Sequence, residues 1–71
     1  MKIDYRGFTI EAYKEREETD YACIVKRNYD GNILISTSGE YPRAKAAVRE
    51  MKQEVDNLVA YYEELTKMEI E

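Results

Sequence analysis

Cys23 is the one thiol of a chain that contains no histidine, and it is the first residue to weigh as a nucleophile. A cysteine nucleophile needs an adjacent base or cation to hold it as the thiolate. Cys23 has no histidine to activate it and sits among Ala22, Ile24 and Val25, a setting in which a thiol is inert. The usual general base near neutral pH is missing with histidine. Carboxylates are abundant, but Glu63 and Glu64 are sequence neighbours, and neighbours on a helix do not share a face. Ser36, Thr37 and Ser38 form no nucleophile elbow. Asp30-Gly31-Asn32 matches a fragment of a calcium loop without its remaining ligands or closing glutamate. With one cysteine and no histidine, a structural zinc site is not expected. These residues predict no enzyme activity, no metal and no cofactor.

The other chemistry on offer is recognition. Six cations, Lys26, Arg27, Arg43, Lys45, Arg49 and Lys52, are candidates for contact with phosphate. Seven tyrosines stand against one phenylalanine and no tryptophan. Tyrosine offers a large rigid surface with a polar tip and is favoured at interfaces. Tyr61 and Tyr62 read as interface residues, and Tyr5, Tyr21 and Tyr41 as packing.

Both sets depend on one long element. From Ala44 the apolar positions run Ala44, Val48, Met51, Val55, Leu58, Tyr62 and Leu65, steps of four and three that keep a stripe on one helix face. Pro42 suits a first helical turn, and no Gly or Pro follows. The prediction is a helix over about 42–69. The same stripe reads as heptads with β-branched Val48 and Val55 at one core position, the preference of a two-stranded coiled coil. Packing on the chain's own sheet is the competing reading for the first half, because a sheet without cover is unstable in water. At 1.5 Å per residue such a helix spans roughly 40 Å, against about 30 Å for strands of eight or nine residues. Its last turns, with Tyr61, Tyr62, Leu65, Met68 and Ile70, should overhang.

Charge divides the helix as well. The segment 42–52 carries Arg43, Lys45, Arg49 and Lys52 against Glu50. The segment 53–71 carries Glu54, Asp56, Glu63, Glu64, Glu69 and Glu71 against Lys67. The macrodipole favours the reverse. Two helices paired antiparallel would set basic half on acidic half, and a basic half could also meet an acidic partner.

Before the helix, Phe8, Ile10 and Ala12 alternate with Thr9, Glu11 and Tyr13, as on a half-buried strand. Ile3 and Tyr5 have the opposite parity. A bulge at Gly7 would restore them to the core face, giving a strand over 2–13; the alternative is a lead-in turn before a strand that starts at Phe8. Residues 14–20 are charged apart from Thr19 and read as a solvated connection. Strands follow at 21–28 and 32–38, joined by a loop at Tyr29-Asp30-Gly31. The register that pairs Val25 with Ile35 and Arg27 with Ile33 gathers Cys23, Val25, Ile33 and Ile35 on one face. The expected fold is therefore α+β: a three-stranded antiparallel sheet followed by one long C-terminal helix, βββα, with residues 1–71 as a single domain.

At 71 residues and with no disulfide within the chain, a domain of this size gains most from an oligomer. No apolar run suits a membrane span, no signal peptide opens the chain, and a lone thiol suits the reducing cytosol. A net charge of −4 opposes general nucleic-acid binding.

The layout, with Tyr5-Arg6-Gly7-Phe8 on the first strand, Ala22-Cys23-Ile24 on the second and Ala44-Lys45-Ala46-Ala47 opening the helix, resembles the DNA-binding domain of ethylene-response factors and the arm-binding domain of phage and transposon integrases. The resemblance covers residues 5 to about 57. It implies a sheet face that enters the major groove, with Lys26 and Arg27 at the matching positions.

Residue by residue, the leading expectation is a cytoplasmic protein-interaction or regulatory module. It forms a homodimer through Leu58, Tyr61, Tyr62, Leu65 and Met68. Accessory proteins of this kind include phage-encoded ones that occupy the basic site of a nucleic-acid enzyme. The alternative is nucleic-acid binding through Lys26, Arg27, Arg43, Lys45, Arg49 and Lys52.

Overall fold

A computed structural model describes residues 1–14 and 19–70, with side chains to residue 68. The fold is α+β, an antiparallel sheet followed by one long C-terminal helix. The sheet has four strands where the sequence predicts three: β1 Lys2–Tyr5, β2 Phe8–Tyr13, β3 Ala22–Arg27 and β4 Ile33–Ser36, in the order β1-β2-β3-β4. The helix, α1, is Ala44–Ile70.

The extra strand comes from Arg6-Gly7. Tyr5 pairs with Phe8, so two residues make the turn. Both have positive φ, 51° at Arg6 and 87° at Gly7, as a type I′ hairpin requires. The predicted strand 2–13 is thus a hairpin folded at its middle. Ile3 and Tyr5 do reach the core face, opposite Ile10 and Phe8, but by reversal of the chain and not by a bulge. The predicted connection 14–20 falls largely on residues 15–18, which lie outside the described residues.

β3 and β4 pair Val25 with Ile35 as expected. A bulge then shifts the register, so Ile33 faces Lys26 and not Arg27. Ile33 consequently leaves the core face and is 58% exposed, while Leu34 packs against the core with Ile35. After β4, Tyr41 bridges back to Tyr21, donating its N–H to the Tyr21 carbonyl and accepting the Tyr21 N–H. This places the start of α1 over the sheet. The helix begins two residues later than predicted: the Arg43 carbonyl accepts the Ala47 N–H, so Arg43 caps the helix and Pro42 precedes it.

The core lies between the sheet and the first half of α1. Phe8, Ile10, Ala12, Cys23 and Val25 meet Ala47, Val48, Met51 and Val55. Leu58 and Val59 complete the contact. From Ala60 to Met68 every residue is exposed, because the helix continues past the turns that end the strands. The long axis of the molecule is 51 Å, against 20 and 17 Å across.

Candidate interaction surface at the overhanging end of the helix

Where α1 passes the end of the sheet, two turns face it: Arg6-Gly7 between β1 and β2, and residues 28–32 between β3 and β4. They enclose an open groove of about 440 Å³ with Phe8 and Val59 at its floor and Arg6, Arg27, Tyr29 and Tyr62 around it.

Asp56, one residue past the core position Val55, ties the first turn to the helix. Its Oδ1 accepts from Arg6 Nη1 at 2.7 Å and from the Tyr5 hydroxyl at 2.9 Å. The guanidinium, then the phenol, hold the Asp56 carboxyl below the usual carboxylate range. The same bond pushes Tyr5 above the ordinary tyrosine value and raises Arg6. Arg6 and Asp56 remain close to half exposed, so the pair orients the turn more than it stabilises the fold.

Arg27 secures the second turn. On the helix-side face at the end of β3, its Nε and Nη2 grip both oxygens of Asp30. Its Nη1 donates to the Tyr62 hydroxyl at 3.1 Å, and the guanidinium lies 4.7 Å over the Tyr29 ring. Asp30 also accepts from the Asn32 N–H. The guanidinium lowers the Asp30 carboxyl, and the carboxylate in turn raises Arg27. Gly31, at φ 75°, closes the turn by donating to the Arg27 carbonyl.

The predicted interface residues divide here. Tyr61, Tyr62, Leu65 and Met68 are 59%, 37%, 39% and 69% exposed, and the rings of Tyr61 and Tyr62 lie 6.0 Å apart. Leu58 packs against the core, so it belongs first to the fold. The six predicted phosphate contacts do not form one surface. Lys26 lies on the outer sheet face opposite Thr9, and Arg27 lies on the helix side with its guanidinium committed to Asp30 and Tyr62. Lys45, Arg49 and Lys52 do come together: with Met1, Ile3 and Val48 they line a groove of about 370 Å³ between α1 and β1. Arg43 is exposed at the helix start. Sequence reasoning missed Arg6 and Asp56, whose meeting depends on the unrecognised hairpin.

Cys23 is fully buried and its thiol is pushed up by that burial. Among the described residues no three His, Cys, Asp or Glu side chains cluster as a metal site, and no helix is long and apolar enough to cross a membrane. Comparison with known protein families, with curated proteins and with solved structures finds no match for this chain.

Proposed function

We propose that this chain is a protein-interaction module of the cytoplasm, without catalytic activity of its own, that pairs with a second copy through the distal half of α1. The observation that carries the reading is the exposure of Tyr61, Leu65 and Met68 at helical spacing beyond the sheet. Apolar residues grouped in this way are stabilised by a second surface. The antiparallel arrangement fits best, because it sets the basic 42–52 half of one helix near the acidic 53–71 half of the other. Solution mass by light scattering tests this at low and high salt. A particle of twice the 8.4 kDa chain mass that weakens with salt agrees with the reading. Leu65→Asp with Met68→Asp should then return the monomer without loss of helix content. A monomer at every concentration and salt would remove it.

Nucleic-acid binding is the second reading, and the resemblance to three-stranded DNA-binding domains leads to it. One observation favours it: the Lys45, Arg49 and Lys52 side chains line one groove and have no ion-pair partner among the described residues. A duplex-DNA mobility shift that weakens steeply with salt would support it. No shift at low salt would end it.

A further inference from the structure

The edge of the sheet at β1 goes beyond both readings. Met1 and Ala12 exchange both backbone bonds, the Met1 amine donating to the Ala12 carbonyl at 2.9 Å and the Ala12 N–H to the Met1 carbonyl at 2.8 Å. In an antiparallel ladder such pairs alternate with pairs that exchange none. Ile3 opposite Ile10 and Tyr5 opposite Phe8 are therefore the bonded pairs, and Lys2 and Asp4 turn their N–H and C=O groups to the open edge. An edge of this kind is a template for a further strand.

What lies above the edge selects the strand. Lys45, Arg49 and Lys52, at i, i+4 and i+7, share one flank of α1 and form the wall of the β1 groove. Ile3, Val48 and Met1 form its apolar floor. At its far end Lys52 Nζ lies 5.4 Å over the Tyr5 ring. Asp56, the carboxylate beyond it, is occupied by Arg6 and Tyr5. The distal stripe of Tyr61, Leu65 and Met68 starts roughly 160° further round the helix, so the two surfaces do not overlap.

We propose that the β1 edge and the groove beneath the Lys45–Arg49–Lys52 ridge take an acidic peptide in extended form as a fifth strand. Three features act together: backbone groups at Lys2 and Asp4 turned to the edge, an apolar floor, and a basic wall with no ion-pair partner among the described residues. An added strand sends every second side chain to the helix side, about 6.6 Å apart. The ridge from Lys45 to Lys52 is about 10.5 Å long. A carboxylate, an apolar side chain and a second carboxylate at alternate positions span about 13 Å, a separation the long Lys45 and Lys52 side chains can reach from the two ends of the ridge, with the apolar one on Ile3 and Val48. This is strand addition with charge selection. A second copy paired β1 to β1 is the wrong occupant: a continuous sheet would place both helices on one face and bring two basic ridges together. A phosphate backbone would meet the cations but leave the floor and the edge groups unused.

The test uses the full chain labelled with ¹⁵N and a capped seven-residue peptide: glutamate second and sixth, valine fourth, threonine elsewhere. Saturable shifts should appear over residues 2–5 and 45–52, and amide exchange at Lys2 and Asp4 should slow by about tenfold or more at saturation. Lys45→Glu with Arg49→Glu, both exposed and outside the core, should weaken binding by roughly tenfold or more. So should lysine in place of the peptide's glutamates. Shifts confined to the helix, with no slowing at Lys2 and Asp4, would overturn the proposal. So would equal binding of the lysine peptide. Tighter binding of a thymidine oligonucleotide to the same residues would replace it with a phosphate surface.

Discussion

Val55 and Leu65 lie on one helical stripe, ten residues apart, and their truncation should have opposite consequences. Val55 is fully buried against the sheet, whereas Leu65 is 39% exposed beyond it. Val55→Ala removes two buried methyl groups, about 1.6 kcal/mol of transfer free energy at ~0.8 kcal/mol each. The cavity left behind, on the order of 50 Å³ at ~24 cal/mol per Å³, adds about 1 kcal/mol. The expected loss is about 2.5 kcal/mol. A chain of 71 residues has a total stability of roughly 4–11 kcal/mol, so the loss is a quarter of it or more, and Tm should fall by roughly 10–20 °C. Leu65→Ala should change monomer stability by less than about 0.5 kcal/mol, and should instead weaken association. The assay is urea denaturation followed by circular dichroism, at two protein concentrations tenfold apart. A Val55→Ala loss below about 0.5 kcal/mol would refute the packing of α1 on the sheet. A Leu65→Ala loss equal to that of Val55→Ala and independent of concentration would refute the free overhang, because the residue would then belong to the monomer core.

Gly7→Ala should cost about 1–2 kcal/mol by denaturation, since a Cβ meets no atom within 4 Å there but φ is 87°; an unchanged midpoint would mean that the β1–β2 turn is not the type I′ hairpin described. Acid should loosen the turn end of the molecule. Asp30 and Asp56 are held below the carboxylate range in the folded chain, so the stability they supply is present above the unfolded value near pH 4 and lost as pH falls through their depressed folded values. Asp56→Asn should remove part of that fall, and identical acid limbs in parent and variant would count against the Arg6–Asp56–Tyr5 arrangement. Cys23 should react with a thiol reagent only as fast as the chain unfolds, because it is buried with a raised pKa; rapid reaction of the native chain would contradict its place in the core.

The helix was legible because its signal is long and redundant. Seven apolar positions kept step over six intervals, and the same count that buried Val48, Met51 and Val55 left Tyr61, Tyr62, Leu65 and Met68 past the sheet. The first hairpin was hidden by its turn chemistry. Two-residue type I′ turns are usually announced by Asn-Gly or Asp-Gly, and here Arg6 takes the first left-handed position, which few non-glycine residues adopt. Ile3 and Tyr5 still carried the information, since their parity broke from that of Phe8 and Ile10; a bulge and a reversal of chain predict the same parity change. The β3–β4 register failed at one residue for a related reason. Ile33, Leu34 and Ile35 are alike in polarity, so the sequence holds no pattern to say which one a bulge will turn out. The groove at the turn end was least legible of all. Arg6 and Asp56 are fifty residues apart, and the hairpin that joins them had first to be seen.

The overhang raises a question of free energy that the fold alone does not answer. A helix extended by Ala60–Met68 adds one backbone bond for each residue ordered, and propagation is close to neutral for Ala, Glu, Leu, Lys and Met. Extension therefore costs the monomer little and also returns little, because these side chains have no core to enter. A solvated extension would be served as well by polar residues at every position. Instead Tyr61, Leu65 and Met68 recur at steps of four and three, the spacing that gave the proximal half its buried face. Burying Leu65 and Met68 further would yield about 25 cal/mol for each Å² removed from water, a gain open to the chain only through a second surface. The charge division adds to this. Carboxylates toward the C-terminus of α1 oppose its dipole by a few tenths of a kcal/mol each. An antiparallel neighbour with its basic 42–52 half alongside would offset part of that cost. Leu65→Asp changes both terms in the same direction, which is why it, more than any core substitution, separates a helix that is merely long from one whose length is used.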